Sequence, residues 1–178
     1  LEWQADQLTL RKTMIELLTG TVALESKLQF RPAQLPLLDA SLILKDINLA
    51  QIDSRLRQSS IQGNVQLQAK EHHRIDFQAQ LREPRASLNA DASFLLNAAG
   101  DNGLLQLKRF DLQAEQASLV GSGEINFEGK QVFKLQAKMT QFNPAHWWLA
   151  PQGKLDGEVN VQGSLAAPAT AKVQSPAW

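Results

Sequence analysis

The sequence predicts an all-β protein: a curved, mostly antiparallel sheet forming an open trough with a hydrophobic interior. Three observations predict it. Apolar and polar residues alternate at period two over most of the chain. Short turn-forming segments separate the runs, and apolar residues at helical spacing are scarce.

The first clear run places Val22, Leu24, Leu28 and Phe30 on one parity, interrupted only by Ser26, with Glu25, Lys27 and Gln29 between them. Ile61, Gly63, Val65, Leu67 and Ala69 then alternate with Gln62, Asn64, Gln66 and Gln68. Ile75, Phe77, Ala79 and Leu81 follow, then Ala86, Leu88, Ala90, Ala92, Phe94 and Leu96. Leu105 and Leu107 are succeeded by Phe110 and Leu112 on the other parity, which predicts a bulge at Lys108-Arg109. Leu119, Gly121, Gly123, Ile125 and Phe127 form the next run, and Phe133, Leu135, Ala137 and Met139 the one after. Leu155, Gly157, Val159, Val161, Gly163 and Leu165 close the series. Side chains alternate faces along a strand, so each run has one apolar and one polar face. About ten strands near the usual five to six residues are expected.

The breaks carry turn chemistry: Lys70–Arg74, Arg82–Arg85 with Pro84, Asn97–Gly103 and Glu128–Lys130. Connections this short favour antiparallel neighbours. Short helical turns are expected at Asn143–Trp148, where an Asn cap precedes Pro, and at Leu49–Asp53. Lys12–Leu18 reads as a strand slightly better than as two helical turns.

A sheet with one apolar face must cover it, and no amphipathic helix of sufficient length is predicted. The pattern leaves a two-sheet sandwich, a closed barrel, or a trough whose lining awaits an apolar ligand. Glycines at 63, 121, 123, 157 and 163 would ease the crowding of a concave face.

Composition narrows the function classes. The 178 residues hold 18 Lys plus Arg against 18 Asp plus Glu, a formal net charge of zero. Neither that balance nor any local basic cluster suits phosphate-driven nucleic-acid binding. The chain has no Cys, hence no disulfide framework and no thiolate ligand or nucleophile. His72 and His73 sit in a polar turn, and His146 lies beside Trp147 and Trp148. Asp39, Asp46, Asp53, Asp76 and Asp91 are scattered, with no convergent pair expected. No phosphate loop, nucleophile elbow or metal-ligand spacing is present, so neither enzymatic activity nor a cofactor is expected. The chain opens at Leu1 and reads as a segment of a longer repetitive domain.

An internal repeat supports that organisation. Residues 47–69 resemble 142–163: Ile47-Asn48-Leu49-Ala50 leads into Ile61-Gln62-Gly63-Asn64-Val65, and Phe142-Asn143-Pro144-Ala145 into Leu155-Asp156-Gly157-Glu158-Val159. A weaker echo pairs Leu18–Val22 with Leu119–Gly123.

The unit in which Phe142–Trp147 precedes Gly153–Gly163 resembles the repeats of the AsmA-like superfamily, and its TamB family most. Phe110-Asp111-Leu112 followed by Leu119–Phe127 is similar to the same repeats. The resemblance covers nearly the whole chain, although the Trp147-Trp148 pair departs from it. It implies a periplasmic protein of a Gram-negative bacterium, anchored in the inner membrane by a helix outside this segment. It further implies a taco-shaped trough that carries phospholipid acyl chains toward the outer membrane. An Omp85-type barrel, TamA, is the implied partner. The rival implied role is holding unfolded outer-membrane protein segments during assembly, and the bland third is a spacer. The expected trough lining is Val22, Leu24, Leu28, Ile61, Val65, Leu67, Ile75, Phe77, Leu88, Phe94, Leu105, Leu107, Leu112, Ile125, Phe127, Phe133, Leu135, Val159 and Val161.

Overall fold

A computed structural model describes residues 2–4, 6–17, 20–31, 36–70, 73–97, 102–129, 131–146, 152–164 and 170–174. His72, Leu18, Trp147, Trp148 and Leu165 lie outside the described residues.

The alternating runs become strands of one antiparallel sheet whose spatial order follows chain order throughout. The strands are β1 (Glu2–Gln4), β2 (Gln7–Leu17), β3 (Gly20–Gln29), β4 (Leu37–Ile47), β5 (Ile61–Lys70) and β6 (Arg74–Glu83). They continue as β7 (Ala86–Leu96), β8 (Gly103–Ala114), β9 (Ala117–Asn126), β10 (Val132–Phe142), β11 (Leu155–Ser164) and β12 (Thr170–Gln174). Among the described residues there are therefore twelve strands, not ten. The full-length strand without an expected run is β4, whereas β2 takes in residues 12–17 of the segment expected as a strand. In β4, Leu37-Leu38 and Leu42-Ile43-Leu44 place apolar side chains on both faces and mask the alternation. The central strands have 10 to 12 residues, nearly twice the expected length. At about 3.3 Å per residue, ten residues reach roughly 33 Å rather than 20.

Pairs such as β5–β6 and β6–β7 run in unbroken register, while β2, β4, β8 and β10 each carry a bulge. Register shifts fall between Leu10 and Thr13, Leu44 and Ile47, Leu107 and Phe110, and Met139 and Phe142. The third is the bulge read from the parity slip at Lys108-Arg109. Each inserted residue moves the apolar positions to the other parity while keeping them on the same face. Without it, the far half of each bulged strand would turn its apolar side chains to the polar face.

Turns are tighter than the sequence suggested. Arg82 and Glu83 still belong to β6, and only Pro84-Arg85 connects it to β7. Glu115, at φ +56°, turns β8 into β9.

Two longer connections carry 3₁₀ turns, Leu49–Gln51 and Pro144–His146. Their geometry matches closely. The Asn48 side-chain oxygen accepts the Ala50 N–H at 3.1 Å and the Ser59 N–H at 3.2 Å. The Asn143 oxygen accepts the Ala145 N–H at 3.1 Å and the Gly153 N–H at 3.4 Å. Each turn follows a bulge with a positive-φ residue, Asp46 at +55° and Gln141 at +47°. Each leads into a strand whose third residue is glycine at high positive φ, Gly63 at +151° and Gly157 at +147°. In each connection one asparagine caps the turn and ties it to the segment just before the next strand. Asn143→Ala, and independently Asn48→Ala, is expected to cost about 1 kcal/mol of stability, as for other caps. Urea midpoints would check this; a change under about 0.3 kcal/mol would show that the turn holds without its cap.

The sheet stays open, since β1 and β12 each have one neighbour. Its accessible surface is 12,057 Å². A compact monomer of this mass would expose about 8,600 Å². Among the described residues the buried apolar side chains are correspondingly few and mostly small: Val22, Ala23, Ala40, Ala114, Phe142 and Ala145. No second layer of described residues closes over the sheet.

Candidate functional site

Directly paired residues of an antiparallel sheet point their side chains to the same face, so the register assembles the site. Four rows of apolar side chains cross the sheet from β2 to β11. One runs Leu8, Leu28, Leu38, Ala69, Ile75, Phe94, Leu105, Ile125, Phe133 and Gly163. The next runs Leu10, Ser26, Ala40, Leu67, Phe77, Ala92, Leu107, Gly123, Leu135 and Val161. The third holds Thr13, Leu24, Leu42, Val65, Ala79, Ala90, Phe110, Gly121, Ala137 and Val159. The fourth holds Ile15, Val22, Leu44, Gly63, Leu81, Leu88, Leu112, Leu119, Met139 and Gly157. Thr13 and Ser26 are the only polar members, and none carries a charge.

Every expected lining residue belongs to this face. Ile61 extends it beside Ile47. Phe127 lies one residue past β9, where its N–H donates to the Gly103 carbonyl at 2.8 Å and its ring meets Phe94 edge-on at 5.8 Å. Sequence reasoning missed Leu8, Leu10 and Ile15 on β2 and Leu38, Leu42 and Leu44 on β4. It also passed over Leu81, Phe110, Leu119 and Met139 as lining, although it had seen their parity.

Ten strands at about 4.8 Å span roughly 43 Å, and four rows about 6.7 Å apart span roughly 20 Å. The strip thus covers on the order of 900 Å², above the few hundred usual for exposed apolar patches on monomers. Its side chains are half-buried by one another rather than by a covering layer.

The relief of the strip is levelled by pairing large residues with glycine. The Phe110 ring lies over Gly121, where an added Cβ would sit 2.7 Å from its edge carbons. Leu135 covers Gly123 in the same way, at 3.0 Å. Gln136 and Lys134 carbonyls crowd the same two glycines. A neighbouring side chain thus occupies the space that a side chain at each glycine would need.

The opposite face is polar and gathers ion pairs. Asp76 receives Lys70 at 2.9 Å and Arg74 at 2.8 Å, and Lys108 stands 3.8 Å from Asp76 and 3.9 Å from Asp91. Asp76 and Asp91 thus share the cation of the β8 bulge, a convergence that sequence spacing did not reveal because it depends on register. The hydrogen bond from Lys70, assisted by Arg74, holds the Asp76 carboxyl below the usual range against the opposing effect of burial. A depressed folded-state value means this stabilisation is complete above the unfolded value of about 3.9 and is lost as pH falls through the folded one. Asp76→Asn is therefore expected to lower stability by about 1 kcal/mol at pH 7. Its urea midpoint should approach that of the unsubstituted chain as pH falls below about 3.9 and through the depressed folded-state value; a gap unchanged by acid would contradict the assignment.

Elsewhere on this face, side chains of β8–β11 border a cleft of about 700 Å³ with Gln106, Ser122, Gln136, Asn160 and the Lys134–Glu124 pair. Among the described residues no group of His, Asp and Glu could hold a metal ion. His73 contacts the Asn97 carbonyl at 3.1 Å through Nδ1.

No protein-family model, curated protein or solved structure matches this chain. The functional reading accordingly rests on the uncovered apolar strip and the resemblance of its repeats.

Proposed function

We propose that the chain is a segment of a periplasmic lipid conduit of the TamB type within the AsmA-like superfamily, carrying phospholipid acyl chains along its apolar face. The observation that supports this reading is the strip itself: four uncharged rows, continuous over ten strands, with no covering layer of described residues. Moving one methylene out of water is worth about 0.8 kcal/mol, so an acyl chain leaving a bilayer unshielded meets a prohibitive barrier. A continuous strip lowers that barrier along its whole length. Levelling of the surface by Phe110 over Gly121 and Leu135 over Gly123 suits sliding better than storage. Direction would come from the membranes and partners at either end, among them an Omp85-type outer-membrane barrel such as TamA.

A phospholipid bearing a cis-parinaroyl chain, which fluoresces only in apolar surroundings, tests binding directly. Saturable fluorescence displaced by unlabelled phospholipid is the expected result. Absence of a signal above that of an unrelated β-sheet protein would overturn the reading.

A further inference from the structure

The sheet has one end where the long connections gather. There, residues 57–58 of the β4–β5 connection, the β6–β7 turn and the β10–β11 connection border a common cleft of about 460 Å³. Three connections far apart in the chain therefore meet at the margin of the apolar strip. The cleft is lined by Arg57, Gln58, Glu83, Pro84, Arg85, Asn143, Ala145, His146 and Gln152.

Its chemistry differs from the face it adjoins. Two guanidinium groups stand against one carboxylate, Glu83, with the amides of Gln58 and Gln152 beside them. Among the described residues neither Arg57 nor Arg85 is engaged in an ion pair or side-chain hydrogen bond. Both side chains are exposed. Guanidinium forks match the oxygens of a phosphate, and amide N–H groups add neutral donors. The neighbourhood on the other side is apolar. Leu81 is two residues before Glu83, Leu88 is three after Arg85, and Ala145 follows the buried Phe142. A molecule held here by a phosphate would have apolar rows within one or two residues' reach.

We propose that this cleft is a binding site for a phosphodiester, filled by the headgroup of a phospholipid whose acyl chains lie on the adjoining rows. The acyl half of this proposal rests on the conduit reading above; the phosphate half stands on the cleft alone. The site places the charged end of the lipid at the margin of the sheet, in water, while the tails occupy the strip. Because the two matching connections both contribute, the cleft depends on the arrangement of both repeats rather than on either one.

Nuclear magnetic resonance of the ¹⁵N-labelled chain separates the two halves. Three probes are titrated below their aggregation concentrations. Dihexanoylphosphatidylglycerol has both parts, glycerophosphoglycerol has the phosphodiester without tails, and dihexanoylglycerol has tails without phosphate. The first should shift amides at Arg57, Arg85 and Ala145 together with those at Leu81 and Leu88. The second should shift only the cleft, and the third only the rows. The double variant Arg57→Glu with Arg85→Glu should weaken the phosphate-bearing probes at least roughly tenfold, about 1.4 kcal/mol, and leave dihexanoylglycerol unchanged. Both residues are exposed, and an unchanged far-ultraviolet spectrum confirms folding. Raising ionic strength on the unsubstituted chain should weaken the same two probes selectively. If the phospholipid binds the rows with no cleft shifts and no response to charge reversal or salt, the cleft proposal falls and the conduit stands. If glycerophosphoglycerol binds the cleft while neither lipid touches the rows, the cleft is a site for free phosphodiesters and the conduit reading falls.

Discussion

Gly63→Ala is expected to destabilise the sheet by about 3 kcal/mol. Gly63 holds φ +151°, which side-chain-bearing residues rarely adopt, and such strain costs about 1–3 kcal/mol. An added Cβ would also run into the Gln80 carbonyl and approach the Leu81 Cα at 2.9 Å, so the β5–β6 ladder must part to admit it. The fitting control is Gly129→Ala. That glycine also has positive φ, +58°, but nothing lies within 4 Å of its added Cβ. It should lose only about 1 kcal/mol. Urea titration at an unchanged slope would measure both. Equal losses at the two positions would contradict the claim that close backbone approach, rather than φ alone, fixes glycine at 63.

The second large effect is on lipid rather than on stability. Leu67 lies between Ala40 and Phe77 in its row, with Gln66 and Gln68 on the polar face. Leu67→Arg puts a guanidinium in the middle of the strip, and Phe127→Arg puts one beside Phe94. A fully buried unpaired charge would cost several kcal/mol, but an uncovered face lets the long side chain reach water. Folding should therefore weaken by only about 1–2 kcal/mol. Parinaroyl-phospholipid binding should fall at least roughly tenfold, since the acyl chain must pass or desolvate the charge. Gln66→Arg, on the polar face, should change stability by less than about 0.5 kcal/mol and leave lipid binding intact. A Leu67→Arg chain that binds lipid normally would detach the strip from the function.

Much of this was legible in the sequence because period two is a local signal. Val65, Leu67, Phe77 and Phe94 alternate with polar neighbours, and alternation alone fixes the face each one joins. The β8 bulge was legible for the same reason: a parity slip between Leu107 and Phe110 can be counted. Strand β4 was not, because Ile43 puts an apolar side chain on the polar face, at 39% exposure, and breaks the count. The bulge at Lys45-Asp46 hides its continuation toward Ile47. Properties that depend on register lay beyond a single sequence. The meeting of Asp76, Asp91 and Lys108 needs three strands aligned, and the Arg57–Arg85–Asn143 cleft needs three connections at one end of the sheet. Openness was expected because no amphipathic helix could cover the apolar face, although one-sided alternation by itself also serves a sandwich or a barrel. Among the described residues β1 and β12 are not paired with each other, and this, with the large accessible surface, decides for the open sheet.

The measurement that tests the central claim most directly is site-specific photo-crosslinking in cells, with the photoreactive group at position 67, at 127 or at 66 of the protein in its full natural length. Adducts would be identified by mass spectrometry. The conduit account predicts phospholipid adducts at 67 and 127 and none above background at 66. Equal lipid labelling at 66 and 67, or protein adducts alone at 67 and 127, would contradict it, and the latter would make the apolar face a holding surface for polypeptide.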